Sequence, residues 1–243
     1  MLKRLIKDGL ALAYRKKLAK VISELREIPL GDLREPGRVA ELIRQAGLRH
    51  DRRKVYGSDE KSANFLGPGL WQIPGQLAPC LVELSHYPVR RALEIGVADA
   101  WTSVFIAAYL SRFNPDLQYL GVDLNQGFPF PAGMSGLAPV HFHFGKTSED
   151  FRREAFDLCF IDGDHSYHWC GRDYENVGQY AKICMFHDIN DRLVGSENVP
   201  KFWEDLKKKE VAQATFHEFL HHSEGSQVMG IGLRIRNDPA TGQ

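Results

Sequence analysis

The hydrophobic positions of this chain first follow a helical period and then form short apolar runs separated by further helical stretches. Apolar residues recur at steps of three and four over residues 1–28, which predicts one amphipathic helix. Five apolar runs suited to buried strands lie at residues 92–95, 117–123, 140–144, 156–161 and 183–186. Helical patterns lie at residues 39–46, 77–85, 104–110, 170–180 and 203–209, and β-like segments at 215–220 and 228–235. This order predicts an α/β fold in which a seven-stranded sheet has helices on both faces and an N-terminal helical extension.

The first apolar run ends in a turn that can approach a ligand closely. Glu94 lies just before the break at Gly96, and a helical pattern begins a few residues later. Glycine permits backbone angles that a side chain forbids, and the next helix directs its free N–H groups to the same place. A dinucleotide-binding turn carries the pattern G-x-G-x-x-G, whereas this turn has Ala98 and Ala100. The two alanines disfavour a pyrophosphate, and Glu94 favours a ligand with positive charge or hydroxyl donors.

Polar side chains follow the other predicted strands at their carboxyl ends, where open α/β sheets bind ligands. Asp123 ends the second strand, a position from which an acid accepts ribose hydroxyls, and capping of a helix is the structural alternative. The remaining strand ends carry Ser148, Asp162 with His165, and His187 with Asp188. Charged groups rarely end buried strands without partners, so their convergence predicts a binding site.

Asp162, His187 and Asp188 form a donor set that suits a divalent ion. Carboxylates favour Mg²⁺ or Mn²⁺, a histidine shifts the preference toward Mn²⁺, Fe²⁺ or Zn²⁺, and such an ion would lower the pKa of a substrate hydroxyl. Two structural alternatives remain open, because Asp162 can cap the next helix and His187 can fill the pocket wall. His165 follows Asp162 by three residues, and its ordinary pKa of about 6.5 suits a general base. Alternatively, His165 makes structural hydrogen bonds in a tight loop.

A second histidine pattern is excluded by its predicted structure. Residues 217–221 read H-E-F-L-H and match the zinc-protease pattern H-E-x-x-H, which needs a helix to bring both imidazoles to one face. The stretch alternates like a strand, so the two histidines would lie about 13 Å apart and could not share one ion. His141 and His143 on the third predicted strand are likewise interpreted as surface or packing residues.

Several blocks together resemble one subgroup of the class I S-adenosylmethionine-dependent methyltransferases, which have a Rossmann-like fold. The turn after the first strand resembles motif I of that class, E/D-x-G-x-x-x-G, with Ala100 at the last glycine. The similar blocks are residues 72–74, 93–96, 160–167, 186–189 and 199–203. The most specific is I-D-G-D-H-S-Y at residues 161–167. The subgroup includes macrocin O-methyltransferases and cephalosporin-hydroxylase-like proteins, and the resemblance covers residues 70–235.

The resemblance implies a cofactor and the residues that contact it. S-adenosylmethionine would bind at the strand ends, with Glu94 and Gly96 at its methionine end, Asp123 at the ribose and Ser148 near the adenine. Ala98 would also contact this cofactor, since an alanine there reshapes the turn without excluding the cofactor. The other residues that the resemblance places at the cofactor are Thr102, Ser103 and Asp162.

The resemblance also implies residues for catalysis. In metal-dependent relatives, the acid that matches Asp162 and an acidic pair that matches His187 and Asp188 bind Mg²⁺. A histidine that matches His165 serves there as the base. This chain has His187 where those relatives have a glutamate, so Mg²⁺ or Mn²⁺ remains an open second cofactor.

Composition narrows the class of partner. The formal charge is zero at pH 7 and aromatic residues make up 11% of the chain, so no nucleic-acid-binding surface is indicated. The four cysteines lack metal-type spacing, which predicts reduced thiols in a cytoplasmic protein. No apolar run reaches the ~20 residues that cross a bilayer. The basic helix over residues 1–28 packs on its own domain or on a second subunit, or it lies on an anionic membrane surface.

These observations combine into one prediction with two alternatives. We predict a helical extension at residues 1–56, a methyltransferase domain at 57–238 with a lid at 57–75, and a tail at 239–243. The domain would transfer a methyl group from S-adenosylmethionine to a hydroxyl of a small molecule, a sugar or a natural product, with His165 and Asp162 as catalytic residues. The alternatives are a nicotinamide-dependent oxidoreductase, disfavoured by the missing glycines, and a catalytically inactive methyltransferase-fold scaffold.

Overall fold

The structure is a computed structural model that describes residues 2–49, 63–64, 68–125, 134–190, 198–220, 222–223, 226–227 and 229–237. Within these ranges the helices are α1 Leu2–Glu27, α2 Pro36–Ala46, α3 Pro74–Leu84, α4 Trp101–Ser111, α5 Tyr167–Asn176 and α6 Val199–Glu210. The strands of the main sheet are β1 Arg91–Ile95, β2 Gln118–Asp123, β3 Val140–Phe144, β4 Leu158–Ile161, β5 Ile183–His187, β6 Ala214–Phe219 and β7 Ile231–Arg236. Two-residue strands lie at Leu48–Arg49, Ala63–Asn64, His222–Ser223 and Ser226–Gln227.

The seven main strands form one sheet in the order β3-β2-β1-β4-β5-β7-β6, which confirms the predicted architecture. Strands β1 to β5 run parallel to one another, and β7 runs antiparallel to both β5 and β6. Every residue of β4 and β5 is buried, as expected for apolar strands covered on both faces. Because the parallel strands share one direction, the polar residues after β1, β2, β4 and β5 meet at one edge of the sheet.

The N-terminal helices belong to the helical layer beside the sheet. Helix α1 packs on α2 and α4, and α2 packs on α3. This cover explains why α4 is buried at every position from Trp101 to Leu110 instead of showing one polar face. Apolar residues of α1, including Leu18, Ile22 and Leu25, lie in the same core cluster as α4.

Several element boundaries differ from the sequence-based expectation for local reasons. Helix α5 begins at Tyr167, three residues early, because the Ser166 hydroxyl accepts a hydrogen bond from the backbone N–H of Trp169 and caps the helix. Residues Ser148–Phe151, after β3, form a single 3₁₀ turn with Thr147 as its capping residue. Of the expected lid at 57–75, residues 57–62 and 65–67 lie outside the described residues. None of the described helices combines the length and the apolar character that crossing a membrane requires.

Candidate active site

The turn between β1 and α4 adopts left-handed backbone angles at three positions. Gly96 has φ +91°, and Ala98 and Ala100 have φ +48° and +64°. The two alanines therefore take conformations that glycine adopts more easily. A side chain at Gly96 would collide with the backbone of Asp162 and Gly163, so glycine is required where β1 and β4 meet.

Asp123 at the end of β2 holds this turn in place. Its Oδ2 accepts hydrogen bonds from the backbone N–H groups of Val97 and Ala98, each at 3.0 Å. Its Oδ1 accepts one from the N–H of Asn125 at 2.9 Å. Asp123 thus binds the backbone of the turn that follows β1, and it also lines the larger of two cavities at the strand ends.

Glu94 is a buried acid at the end of β1. The Tyr119 hydroxyl donates to its Oε2 at 3.0 Å, and its side chain lies close to Ser103, which is also buried. Burial raises the pKa of Glu94 to about 8, and Ser103 and Tyr119 oppose the rise only in part. Glu94 therefore carries a proton at neutral pH in the absence of a positively charged partner.

A cluster of two histidines and two aspartates lies where β4 and β5 end. Nδ1 of His187 lies 2.9 Å from Oδ1 of Asp162, and Nε2 of His165 lies 3.8 Å from the same oxygen. Nδ1 of His165 lies 3.0 Å from Oδ2 of Asp188. Asp162 does not cap helix α5, since Ser166 does, and His187 contacts the acid as well as lining a cavity wall.

The charges of the cluster shift its protonation equilibria. Hydrogen bonds to Asp162 and Asp188 raise the pKa of His165 to about 10. The pKa of His187 is also raised, because the attraction of Asp162 and Asp188 exceeds the effect of its burial. The pKa of Asp162 is lowered even though burial acts in the opposite direction, because both histidines favour its ionised form. The acids and the imidazoles of the cluster thus each favour the charged form of the other.

The donor atoms that converge most closely differ in part from the predicted set. One ligand atom from each of Asp162, His165 and His187 lies within 4.8 Å of the other two. Asp188 lies beside them and orients His165 through Nδ1, the arrangement by which a carboxylate commonly fixes a metal-binding histidine. Nε2 of His187 is buried without a hydrogen-bond partner among the described residues. Two imidazoles and one carboxylate can therefore hold a divalent ion here.

Two adjoining cavities open at this edge of the sheet. The larger has a volume of about 680 Å³, and among its lining residues are Asp123, Asn125, Ser148, Trp169 and Asp173. The smaller has a volume of about 270 Å³, and among its lining residues are Trp71, Gln72, Glu94, Thr102 and His187. Both cavities are lined by Gly96, Ala98, Asp162 and Gly163.

Most of the site residues expected from the sequence line these cavities. Among the described residues, Ser103 and Asp188 are the two expected site residues that line neither cavity. Ser103 lies close to the carboxyl group of Glu94, and Asp188 contacts Nδ1 of His165. Ser148 is anchored, since its hydroxyl donates to Asp173 at 2.6 Å and accepts from Asn176 at 3.0 Å.

The segment just before helix α3 lies in the lid expected at 57–75, and none of its residues was predicted as a site residue. Gln72 Nε2 donates to Oδ2 of Asp162 at 2.7 Å, and the Thr102 hydroxyl donates to Gln72 Oε1 at 2.5 Å. The signal in the sequence that could have pointed to Gln72 is the block at residues 72–74, which is part of the family resemblance. Trp169 of α5, which lines the larger cavity, had no comparable signal because it lies on an ordinary amphipathic helix.

Comparisons with known proteins identify similar folds and a matching domain profile. Residues 93–189 match a family profile described as a methyltransferase domain. A similar fold occurs in the O-methyltransferase TomG from Streptomyces achromogenes, which is involved in tomaymycin synthesis and whose structure contains SAM. That match has 16% identity and a TM-score of 0.51, and it covers 71% of this chain and 85% of TomG. A candidate O-methyltransferase from Klebsiella pneumoniae has 17% identity and a TM-score of 0.50, with coverage of 82% and 90%. No curated protein sequence matches the chain.

The strand order and the matched structures show the fold of the class I methyltransferases. Within that fold, residues 93–189 are the part that matches the methyltransferase-domain profile. The four strand ends that carry Glu94, Asp123, Asp162 and His187 all fall inside this matched range.

Proposed function

We propose that the protein is an S-adenosylmethionine-dependent O-methyltransferase that acts on a hydroxyl group of a small molecule. The observation that carries the proposal is the pair of adjoining cavities whose shared wall is the turn at Gly96 and Ala98. A bipartite ligand with a nucleoside at one end and an amino acid at the other matches this shape. The cofactor supplies a methyl group that its sulfonium has already activated.

The two cavities differ in chemistry as the two ends of the cofactor do. The larger cavity contains Asp123, an acid in the position that accepts ribose hydroxyls in doubly wound folds, and the exposed ring of Trp169. Such a ring provides an apolar face for a base. The smaller cavity contains the buried carboxyl of Glu94 and the hydroxyl of Thr102, which suit the ammonium and carboxylate of an amino acid.

The cluster of Asp162, His165 and His187 would hold a divalent ion. Imidazole ligands suit Mn²⁺, Fe²⁺ or Zn²⁺ better than Mg²⁺, so of the two ions predicted the donor set favours Mn²⁺. Bound there, the ion would lower the pKa of an acceptor hydroxyl. Asp188 would orient His165, and Gln72 would orient Asp162, through the hydrogen bonds described above.

The proposed base role of His165 depends on its protonation state. Both ring nitrogens face carboxylates, and a ring that holds a proton on each nitrogen cannot accept one from a hydroxyl. Nε2 of His165 can bind an ion or accept the proton of a hydroxyl, but not both at once, so the base role requires an ion held by Asp162 and His187 without His165. The protein's remaining contribution is to align the acceptor oxygen with the activated methyl group.

The finer parts of the proposal rest on the sequence. A sugar or natural-product acceptor, a cytoplasmic location and the division at residues 56 and 57 follow from the resemblance and the composition. The N-terminal helix would contact a second subunit or a membrane surface only with the face that does not join the core, since Leu18 and Ile22 are buried against the domain.

Titration calorimetry of the full chain with S-adenosylhomocysteine tests the proposal, with NADH as the comparison ligand. Micromolar binding of S-adenosylhomocysteine without heat from NADH supports it. Binding of NADH alone would favour the oxidoreductase, and binding of neither would favour the inactive scaffold. Asp123→Asn should weaken binding of S-adenosylhomocysteine about tenfold, because it removes the carboxylate that holds the turn and would accept the ribose hydroxyls. Asp116→Asn, at an exposed position before β2, is the matched control and should bind like the native chain.

A further inference from the structure

Two chain segments that precede the matched domain lie side by side next to the site. The backbone N–H of Arg49 donates to the carbonyl of Leu70 at 3.0 Å, and the N–H of Leu70 donates to the carbonyl of Gly47 at 2.9 Å. Residues 47–49 and 68–72 therefore form one unit, which we call the upstream wall. It lies outside the matched residues 93–189.

A partly buried ion pair connects the upstream wall to the turn after β1. Nη1 of Arg49 lies 2.9 Å from Oδ2 of Asp99, whose side chain is 1% exposed, and the N–H of Gly69 donates to the same oxygen at 3.3 Å. The Arg49 guanidinium also stacks on the ring of Trp71, with its central carbon 4.3 Å from the ring centroid. Arg49 thus connects Asp99 in the turn to Trp71 in the wall.

Trp71 and Gln72 are the residues of the wall that reach the smaller cavity. The Gln72 side chain is almost fully buried and bridges two elements, since it donates to Asp162 at the end of β4 and accepts from Thr102 in the first turn of α4. An amide offers both a donor and an acceptor, so it can serve the carboxylate and the ammonium of an amino acid.

We propose that the upstream wall completes the amino-acid end of the cofactor site. Gln72 is the residue that contacts this end, and Arg49 is a positioning residue that holds Trp71 and Gln72 against the turn through Asp99. The inference rests on the proposed function, because it presumes that S-adenosylmethionine binds across the two cavities. It adds residues from a part of the chain that the family match does not include.

Two ligands that differ only at the amino-acid end provide the test. S-adenosylhomocysteine carries an amino acid, and 5′-methylthioadenosine lacks it while keeping the nucleoside and the thioether. Dissociation constants for both are measured on the full chain with Gln72→Met, Arg49→Met and the double variant. We expect Gln72→Met to weaken S-adenosylhomocysteine about tenfold and to change 5′-methylthioadenosine by less than about threefold. Arg49→Met should also weaken the binding of S-adenosylhomocysteine.

The double variant separates a shared role from two independent ones. If Arg49 acts through Gln72, the double variant binds S-adenosylhomocysteine about as weakly as the weaker single variant, whereas independent residues give multiplied losses. Arg234→Met is the matched control, because Arg234 forms a buried pair with Glu210 at 2.8 Å outside the residues that line either cavity. It should lower thermal stability and leave the ratio of the two affinities unchanged.

The outcomes also distinguish this inference from the proposed function. A native chain that does not bind S-adenosylhomocysteine overturns the function itself. A native chain that binds it, together with variants that weaken both ligands equally or neither, overturns the role of the wall alone. Arg49→Lys, which keeps the charge, addresses the case in which Arg49→Met does not fold, and it should retain part of the affinity for S-adenosylhomocysteine.

Discussion

Nδ1 of His165 lies 3.0 Å from Oδ2 of Asp188, so this acid contacts the ring nitrogen that does not face Asp162. The contact helps to raise the pKa of His165 to about 10, together with the contact to Asp162. A raised histidine pKa contributes stability that is fully present below the ordinary pKa of about 6.5 and is lost as the pH rises through about 10. The pair therefore links the protonation of the site to folding.

Asp188→Asn should lower the pKa of His165, because the substitution removes one of the two charges that favour the imidazolium. Imidazole proton shifts followed by NMR between pH 5 and 11 measure this pKa, with the exposed His141 as the internal reference. The stability of the variant between about pH 6.5 and 10 should depend less on pH than that of the native chain. An unchanged pKa for His165 would show that Asp162 alone is responsible.

His165→Ala should reduce turnover about a hundredfold or more, as expected for loss of a general base, once a hydroxyl acceptor is supplied. The affinity for S-adenosylhomocysteine should stay within about threefold of the native value, since other residues bind both ends of the cofactor. Steady-state rates and calorimetry measure the two quantities. Full activity in this variant would remove His165 as the base, and His141→Ala is the matched histidine control.

His187→Ala should weaken Mn²⁺ binding by at least about tenfold, because it removes one of the three donors that converge. Asp162→Asn should do the same, while Asp164→Asn, two residues along the same loop, should have little effect. Electron paramagnetic resonance of free Mn²⁺ reports binding without any activity measurement. Removal of the ion with a chelator should leave the fold intact, since the buried strands on either side of the ion site form the sheet without it. Equal Mn²⁺ affinity in all three variants would contradict the proposed ligands.

Binding of S-adenosylhomocysteine should release a proton from Glu94 near neutral pH. Glu94 holds a proton at pH 7, because burial raises its pKa to about 8, and an ammonium group placed beside it would favour the carboxylate. Titrations at pH 7 in two buffers with different ionisation enthalpies count the released protons. Glu94→Gln should abolish the release, and a native chain that releases none would place the ammonium elsewhere.

The same acid should shape the dependence of stability on pH. Since the folded pKa of about 8 exceeds the ordinary 4.5, the stability linked to Glu94 is fully present below pH 4.5 and is lost as the pH rises through 8. Urea unfolding at pH 5, 6.5 and 8 should show a flatter profile for Glu94→Gln than for the native chain. Parallel profiles would mean that Glu94 titrates at its ordinary value.

The turn after β1 provides a matched pair of substitutions. Gly96→Ala should cost about 3 kcal/mol of unfolding free energy, because the added methyl group meets the backbone of Asp162 and Gly163. Ala100→Gly should change stability by less than about 1 kcal/mol, since relief of the left-handed backbone offsets the greater freedom of glycine in the unfolded chain. Chemical denaturation measures both. A tolerated Gly96→Ala would mean that the two strand ends move apart at small cost.

The sequence by itself determined the sheet and the residues at its strand ends. Strands buried on both faces are continuous apolar runs, amphipathic helices repeat every 3.6 residues, and parallel strands bring their carboxyl ends to one edge. Glu94, Asp123, Asp162 and His187 could therefore be predicted together without any knowledge of contacts. The hydrophobic pattern did not give the start of α5, because the cap at Ser166 sets it.

Only the tertiary structure decided which atoms meet at the site. Gln72 lies ninety positions from Asp162 in the chain yet donates to it at 2.7 Å, and Arg49 reaches Asp99 across fifty. The two carboxylates around His165 likewise raise its pKa only because the chain folds them to opposite sides of one ring. Hydrogen bonds and charge interactions act over a few ångströms of space, and a periodic pattern carries no information about such distances between separate elements.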